Sequence, residues 1–501
     1  MITAQVEPAV VIDWTRPSRR TFAANLTWLL PAFGSALLSW LIGGFTLQPE
    51  PLIRSAVIGG IFVLLMVAEM ITASTTRYRV TADRFELTKG LLFRTRKSVA
   101  RSRIRSVQTT AGPVQRLLGL QRIKISAGQA AQQDTITLSG LRVADADRLR
   151  AALRPTGADA AEADPDTLLI FSRDWLRYAP LTVWGVGGVA LLALVGYRGL
   201  GVFGLQPEQV WAWAAPLLGS WPLWQLVLAG VVLLVGLGIA LSMIVFVEEW
   251  WRLRLSRSGR DWLSMERGLL AHRRLGLDLR RLRGMILSEP LLGRLAGGAR
   301  VEPLSVSAAA EEDEENKSGS MRYLTPVIPR DEAAELAGRV LPEAPSLADP
   351  ELVRHPPAAR RRRVVRGLVV SMIIVAGLLI TALVTDQPWW WLGVGLAMII
   401  VVPLAVLLGT AEYRSLGHGS RGGHLILRSG LLDRRTTVLA HDGIIGWRIS
   451  QSPLQRRAGL LTLTATSAAC RRGGCTVADL APDQAADLIR ATGVAGPAER
   501  S

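Results

Sequence analysis

Enzymatic chemistry needs nucleophiles, metal ligands or acid–base pairs at workable spacing, and in this chain of 501 residues such groups are sparse. The five histidines are His272, His355, His418, His424 and His441. None shows the metal-binding pattern of two histidines on adjacent turns beside an acid. His418 and His424 are the nearest pair and are expected in loops. The two cysteines, Cys470 and Cys475, flank Arg471-Arg472-Gly473-Gly474. Two are too few for a four-cysteine zinc site or a disulfide framework. They are expected as thiols at a hairpin tip in a reducing cytoplasm. Gly185-Val186-Gly187-Gly188 has the composition of a nucleotide loop but lies in an apolar run, where small residues allow close helix packing. Neither a Walker motif nor a serine nucleophile elbow is present. No catalytic residue, metal or cofactor is assigned, and the chain is not expected to be an enzyme.

Basic residues offer more. Arg101, Arg103 and Arg105 alternate in a segment read as a strand, so they should share one face. Arg280, Arg281 and Arg283 hold the corresponding place further on, where a third segment has His441, Gly443 and Ile445. Beside an anionic leaflet each arginine adds about 1 kcal/mol of attraction, which makes these six the lipid-binding candidates. The alternative is a solvated strand edge that resists aggregation. Glu69, Glu248, Glu249 and Glu412 recur near the ends of apolar runs and are read as interfacial, paired with nearby arginines, rather than as ion-coupling sites.

The elements that must position these residues are membrane helices. A spanning helix needs about 20 apolar residues. Six stretches qualify, near Phe22–Thr46, Leu52–Thr72, Pro180–Phe203, Leu223–Val247, Val365–Thr385 and Trp389–Gly409. Tryptophans gather at their ends, among them Trp211, Trp221, Trp251 and Trp389, as an interfacial belt would require. The spans fall into three hairpins whose tips carry Glu50, Glu208 and Asp386, with Arg54 and Arg198 as the nearby cations. The other basic residues lie on the opposite side. The positive-inside rule then places both termini and the soluble segments in the cytoplasm of a six-span, multi-pass protein of the cell membrane. This bias accounts for most of the net charge of +17 and removes the need for a nucleic-acid partner.

The soluble segments repeat. Each has a Gly-Leu-Leu, starting at Gly90, Gly268 and Gly430, preceded by alternating apolar residues (Phe85 and Leu87, Leu263 and Met265, Leu425 and Leu427). Arginines follow, then a proline (Pro113, Pro290, Pro453), an arginine (Arg116, Arg294, Arg456) and a second glycine (Gly119, Gly297, Gly459). Each segment closes on an amphipathic helix. The middle copy is longer by an acidic insert, residues 311–320. Each unit reads as short strands plus a C-terminal helix, either a partly open β-barrel or two packed sheets plugged at one end.

The segments Arg267-Gly268-Leu269-Leu270, Ser429-Gly430-Leu431-Leu432-Asp433-Arg434-Arg435-Thr436, Ser452-Pro453-Leu454-Gln455-Arg456-Arg457-Ala458-Gly459-Leu460 and Pro113-Val114-Gln115-Arg116-Leu117-Leu118-Gly119-Leu120 resemble the YdbT-like family of membrane-flanked bacterial pleckstrin-homology (PH) domains. The middle copy departs most, with Gly293-Arg294-Leu295-Ala296 and Pro303. The resemblance implies membrane α-helical hairpins plus α+β domains: three repeats of a two-helix transmembrane hairpin followed by a PH-like β-barrel capped by a C-terminal helix. It implies no activity. The expected divisions are an N-terminal segment (1–20), hairpins at 21–74, 179–248 and 364–411, and PH-like domains at 75–156, 249–343 and 412–496. Linkers are expected at 157–178 and 344–363. The expected role is a scaffold for a protein partner, for self-association or for anionic lipid headgroups at the bilayer. A six-span transporter or channel component is the alternative.

Overall fold

A computed structural model describes residues 12–18, 20–21, 49–90, 94–101, 104–127, 135–153, 166–182, 222–259, 261–305, 322–385, 387–470 and 473–493. The first expected span, residues 183–203 of the third, the acidic insert, Arg103 and the tip residues Glu208 and Asp386 lie outside them. The chain divides into two units, Met1–Arg280 and Arg281–Ser501, and the boundary falls inside the middle soluble segment.

In the first unit, β1 (Ile12–Thr15) precedes helix α1 (Pro49–Thr75), and β2 (Arg77–Val80), β3 (Arg84–Lys89) and β4 (Thr95–Ala100) follow it. Then come β5 (Ile104–Ala111), β6 (Leu120–Ala127), β7 (Thr135–Arg142) and helix α2 (Val143–Ala152). The middle segment opens with β8 (Asp166–Ile170), helix α3 (Leu223–Trp250), β9 (Arg254–Ser258), β10 (Trp262–Arg267) and β11 (His272–Asp278). Alternation buries one face of each strand. Tyr78, Val80, Phe85, Val107, Ile123, Ile125, Ile136 and Leu138 form one core with Leu149 of α2.

The second unit continues with β12 (Leu282–Pro290), β13 (Gly298–Ser305), β14 (Ile328–Pro329) and helix α4 (Arg330–Val340). Helices α5 (Pro357–Thr385) and α6 (Pro388–Arg414) come next. The third soluble segment holds β15 (Gly417–Arg421), β16 (His424–Ser429), β17 (Asp433–Ala440), β18 (Gly446–Ser450), β19 (Leu461–Thr466), β20 (Gly474–Leu480) and helix α7 (Pro482–Thr492). Its core joins Leu425, Leu439, Trp447, Leu463, Val477 and Leu480 to Leu488 of α7.

Three described helices are long and apolar enough to cross a membrane: Trp224–Trp250, α5 and α6. In α1, the stretch Gly59–Thr72 is apolar but shorter than these. Helices α5 and α6 run back along each other, and glycines permit the approach. A Cβ on Gly367 would lie 3.0 Å from the Ala405 carbonyl oxygen, and one on Gly409 would lie 2.9 Å from the Val364 Cα.

No closed barrel forms. The described strands lie in open antiparallel sheets, with orders β1-β2-β3-β4, β7-β6-β5-β11-β10-β9-β8, β14-β13-β12-β17-β16-β15 and β18-β19-β20. The reason is visible at β5 and β12. The free side of β5 is taken by β11, and that of β12 by β17, so neither closes a barrel within its own segment. The repeated glycines occupy matching positions in matching backbone. Gly90, Gly268 and Gly430 have φ of 113°, 109° and 104°, and Gly119, Gly297 and Gly459 have 65°, 73° and 63°. A Cβ on Gly268 would sit 1.9 Å from the Ala271 carbonyl oxygen, so this turn requires glycine.

Each stretch containing an apolar helix is also bracketed by a strand pair. β1 pairs with β2, β8 pairs with β9, and Val353 bridges His418 at the head of β15.

Candidate interaction surface

The two joints between successive soluble segments are antiparallel ladders. Leu277 to His272 of β11 face Ser106 to Ala111 of β5. Leu439 to Arg434 of β17 face Gly284 to Glu289 of β12. Counted from the repeated glycines, the rungs are the same. Ala111 faces His272 in the first joint, and Glu289 faces Arg434 at the matching rung of the second. An edge strand carries unpaired backbone groups, and strand addition satisfies them without demanding particular side chains.

The repeated sequence landmarks meet at these joints. Arg116 donates through Nη1 to the Leu269 carbonyl at 2.8 Å, and Arg294 donates through Nη2 to the Leu431 carbonyl at 3.4 Å. Both acceptors belong to the Gly-Leu-Leu turn of the following segment. The arginine and the turn are therefore two halves of one contact, a role that their spacing alone did not reveal.

Side-chain chemistry distinguishes the joints. In the second, Glu289 is 1% exposed, takes two hydrogen bonds from Arg434 at 2.7 Å each, and lies 3.2 Å from Arg330. Asp433 accepts from Ser288 at 2.7 Å and pairs with Arg435 at 2.9 Å and Arg300 at 3.4 Å. Burial alone would raise the Asp433 pKa, but the Ser288 hydroxyl, Arg300 and Arg435 hold it below the usual carboxylate value. The first joint has Arg274 shared between Glu266 at 3.1 Å and Asp147 at 3.6 Å, both partly exposed.

The lipid-binding candidates are placed differently from the expected strand face. Arg101 lies in the turn between β4 and β5, is buried, and donates to the Ala82 carbonyl at 2.9 Å. Arg105 is on β5, whereas Arg101 follows the end of β4, so the two do not share a strand. Arg280 and Arg281 lie in a short 3-10 turn, and Arg283 is on β12. Arg280 pairs with Asp278 at 3.2 Å and Asp261 at 3.8 Å, and Arg283 pairs with Asp442.

Acidic groups at the helix ends do meet arginines. Glu249 lies 3.2 Å from Arg267, whose guanidinium stacks 3.9 Å from the Trp250 ring centroid. Burial lowers the Arg267 pKa to about 10. Glu412 pairs with Arg363 of α5, and Asp479, fully buried, pairs with Arg362 and Arg363 and accepts from Gln455 at 3.0 Å. This cluster fastens α5 and α6 to the third segment. Beside it, the rings of His355 and His418 meet edge to face at 5.0 Å. Burial, then His418 and Arg363, push the His355 pKa down to about 4. The Glu69 side chain lies outside the described residues. Cys470 and Cys475, expected as thiols, are joined in a disulfide. Backbone hydrogen bonds from Ser467 N–H to the Gly473 carbonyl and from Gly473 N–H to the Cys470 carbonyl hold the two cysteines near each other. Among the described residues, no group of three or more His, Cys, Asp or Glu side chains could hold a metal.

Open antiparallel sheets, each set capped by a helix and set beside long apolar helices, define a membrane-anchored PH-like protein. The bacterial PH domain family model matches residues 24–156 and 367–492, just over half of the chain, and the chain belongs to that family. Over 448 residues it is 22% identical to the UPF0699 transmembrane protein YdbT of Bacillus subtilis (strain 168), covering 86% of this chain and 88% of that relative. No solved structure matches the chain.

Proposed function

We propose that this membrane protein is a non-catalytic scaffold that links its PH-like domains by strand pairing and presents them to a protein partner. The observation that carries this reading is the repeated joint, with β11 on β5 and β17 on β12 at matching rungs. A row built by backbone pairing is an assembly device, and it uses the strand edges rather than a cleft. Anionic lipid plays a smaller part in this reading, because Arg101 is buried and Arg280 and Arg283 already face aspartates.

Six spans are supported by the bracketing strands. Water-soluble strands cannot pair through a bilayer. The strand pairs that flank each apolar interval, β1 with β2, β8 with β9 and Val353 with His418, support an even number of crossings in each. Helix α3 has the length and apolarity for one crossing in the second interval, and the apolar stretch expected from the sequence at Pro180–Phe203 supports a second. Charge favours a cytoplasmic location for the domains. The Cys470–Cys475 pairing favours the oxidising side, since reducing compartments keep cysteines as thiols. Reporter fusions after Ser501 and at Asp386 decide between them. Cytoplasmic signal at Ser501 and outside signal at Asp386 support the charge-based orientation, and the reverse result overturns it. Affinity capture from native membranes with a C-terminal tag tests the scaffold role. Co-purifying protein is expected, and a chain recovered alone contradicts the reading.

A further inference from the structure

The joints repeat from segment to segment, and each of the two units leaves one half-joint unused. The second half-joint of the third segment is β18, which is the outer strand of the sheet β18-β19-β20. The first half-joint of the first segment is β4, the outer strand of β1-β2-β3-β4. Neither has a further neighbour among the described residues. Ile449 on β18 is 46% exposed, while the matching residues of the occupied strands, Leu287 and Thr109, are 1% and 6% exposed. Val99 on β4 is partly buried, whereas its counterparts Leu277 and Leu439 are buried. The arginine contact is also half-made at this end. Arg456, counterpart of Arg116 and Arg294, is exposed, and no partner is found for it among the described residues.

We propose that β18 of one copy of this chain adds to β4 of a second copy, at the rung used by the internal joints. This proposal rests on the row described above. Carrying the register forward from Gly284–Leu439 and Leu287–Thr436 sets Gly446 opposite Val99, Trp447 opposite Ser98, Arg448 opposite Lys97 and Ile449 opposite Arg96. The surface is heterologous, so repeated joints give rings or open rows rather than a two-fold dimer.

One feature of the ladder opposes it. Arg448 and Lys97 are like charges on facing residues, which weakens a strand pair. This makes the joint adjustable, and it sets the sign of the salt response. Salt screens the repelled pair and tightens self-association, whereas binding to an anionic lipid surface loosens with salt.

The test uses the full chain in bilayers, with cysteine pairs and mild oxidation. Gln108→Cys with Leu275→Cys occupies the internal rung that matches Lys97 and Arg448, and should close within one chain. Lys97→Cys with Arg448→Cys should give covalent dimers and higher oligomers beyond those of either single variant. Failure of the internal pair sinks the row itself. A closed internal pair with no Lys97–Arg448 product, or with that product only at monomer mass, sinks self-association and leaves the row standing. Independently, Arg448→Glu should tighten association roughly five-fold by setting opposite charges face to face. Adding Lys97→Glu to it should reverse the gain. No change in either variant contradicts the joint at this rung.

Discussion

The two internal joints share a backbone register and differ in how side chains hold it. In the second unit, Glu289 and Asp433 sit among Arg330, Arg434, Arg300 and Arg435. In the first unit, the matching rungs carry Ala111 opposite His272 and Thr110 opposite Arg273, and the ion pairs of Arg274 reach solvent. The comparison teaches that ladder hydrogen bonds set the joint and that charge locks are an addition. The locked half should therefore be the one that responds to charge, proton and redox changes. Because the chain spans units and a bilayer, each effect is best read as local opening by hydrogen exchange rather than as one global transition.

The largest difference is expected at Glu289. Glu289→Gln leaves Arg434 and Arg330 without their carboxylate at a buried site, which costs about 3 kcal/mol. Exchange protection along β17 should fall accordingly. Arg274→Ala in the first joint breaks exposed pairs and should cost less than about 1 kcal/mol along β11. Equal losses in the two joints would remove the distinction.

Acid should act next. The His355 pKa is lowered in the folded chain, so below about pH 6.5 the unfolded state binds a proton that the folded state refuses. Stability around His355 is fully present above that pH and declines as pH falls toward about 4. The whole decline is on the order of 3 kcal/mol. His418 and His441 are shifted down by burial as well, and so is His272 in the first unit. Protection in the third segment should therefore fall more steeply than in the first between pH 6.5 and 4.5, and His355→Gln should flatten the difference. Parallel profiles would contradict it.

Reduction of the disulfide is a smaller lever. Cys470 and Cys475 close a short loop, and opening it costs about 2 kcal/mol on chain-entropy grounds. Replacing both by serine should loosen β20 and leave β4 to β7 unchanged, as read by exchange on the same sample. The smallest expected effect tests what the joints share. Arg116→Ala and Arg294→Ala each remove one hydrogen bond to a Gly-Leu-Leu carbonyl and should each cost about 1 kcal/mol. A much larger cost at Arg294 alone would show that this contact, too, belongs to the lock.

Much of this was legible in the residues. The glycine landmarks at Gly90, Gly268 and Gly430 marked the repeat because positive φ leaves little choice of residue. The ladders were not legible, because β5–β11 and β12–β17 are held by backbone groups, and the spacing of Arg116 and Arg294 does not reveal that they reach the Gly-Leu-Leu turn of the next segment. The bracketing strands were missed because β1 and β8 are short and lie a whole apolar helix away from their partners. The alternation of Arg101 and Arg105 gives no sign that β4 ends at Ala100 and β5 starts at Ile104, which leaves Arg101 outside both strands. The disulfide was discounted on compartment grounds, whereas local backbone hydrogen bonds hold the two cysteines near each other.

Amide-resolved hydrogen exchange on β12 in the full chain in a bilayer reads the second joint itself. The Leu291 amide donates across the joint to the Leu432 carbonyl at 2.6 Å, and alternation then turns the amides of Met285 and Leu287 toward β17. Those of Ile286 and Ser288 turn inward to β13. If strand addition joins the segments, Met285 and Leu287 exchange as slowly as Ile286 and Ser288. Fast exchange at Met285 and Leu287, beside protected inward neighbours, would show an open edge and contradict the account.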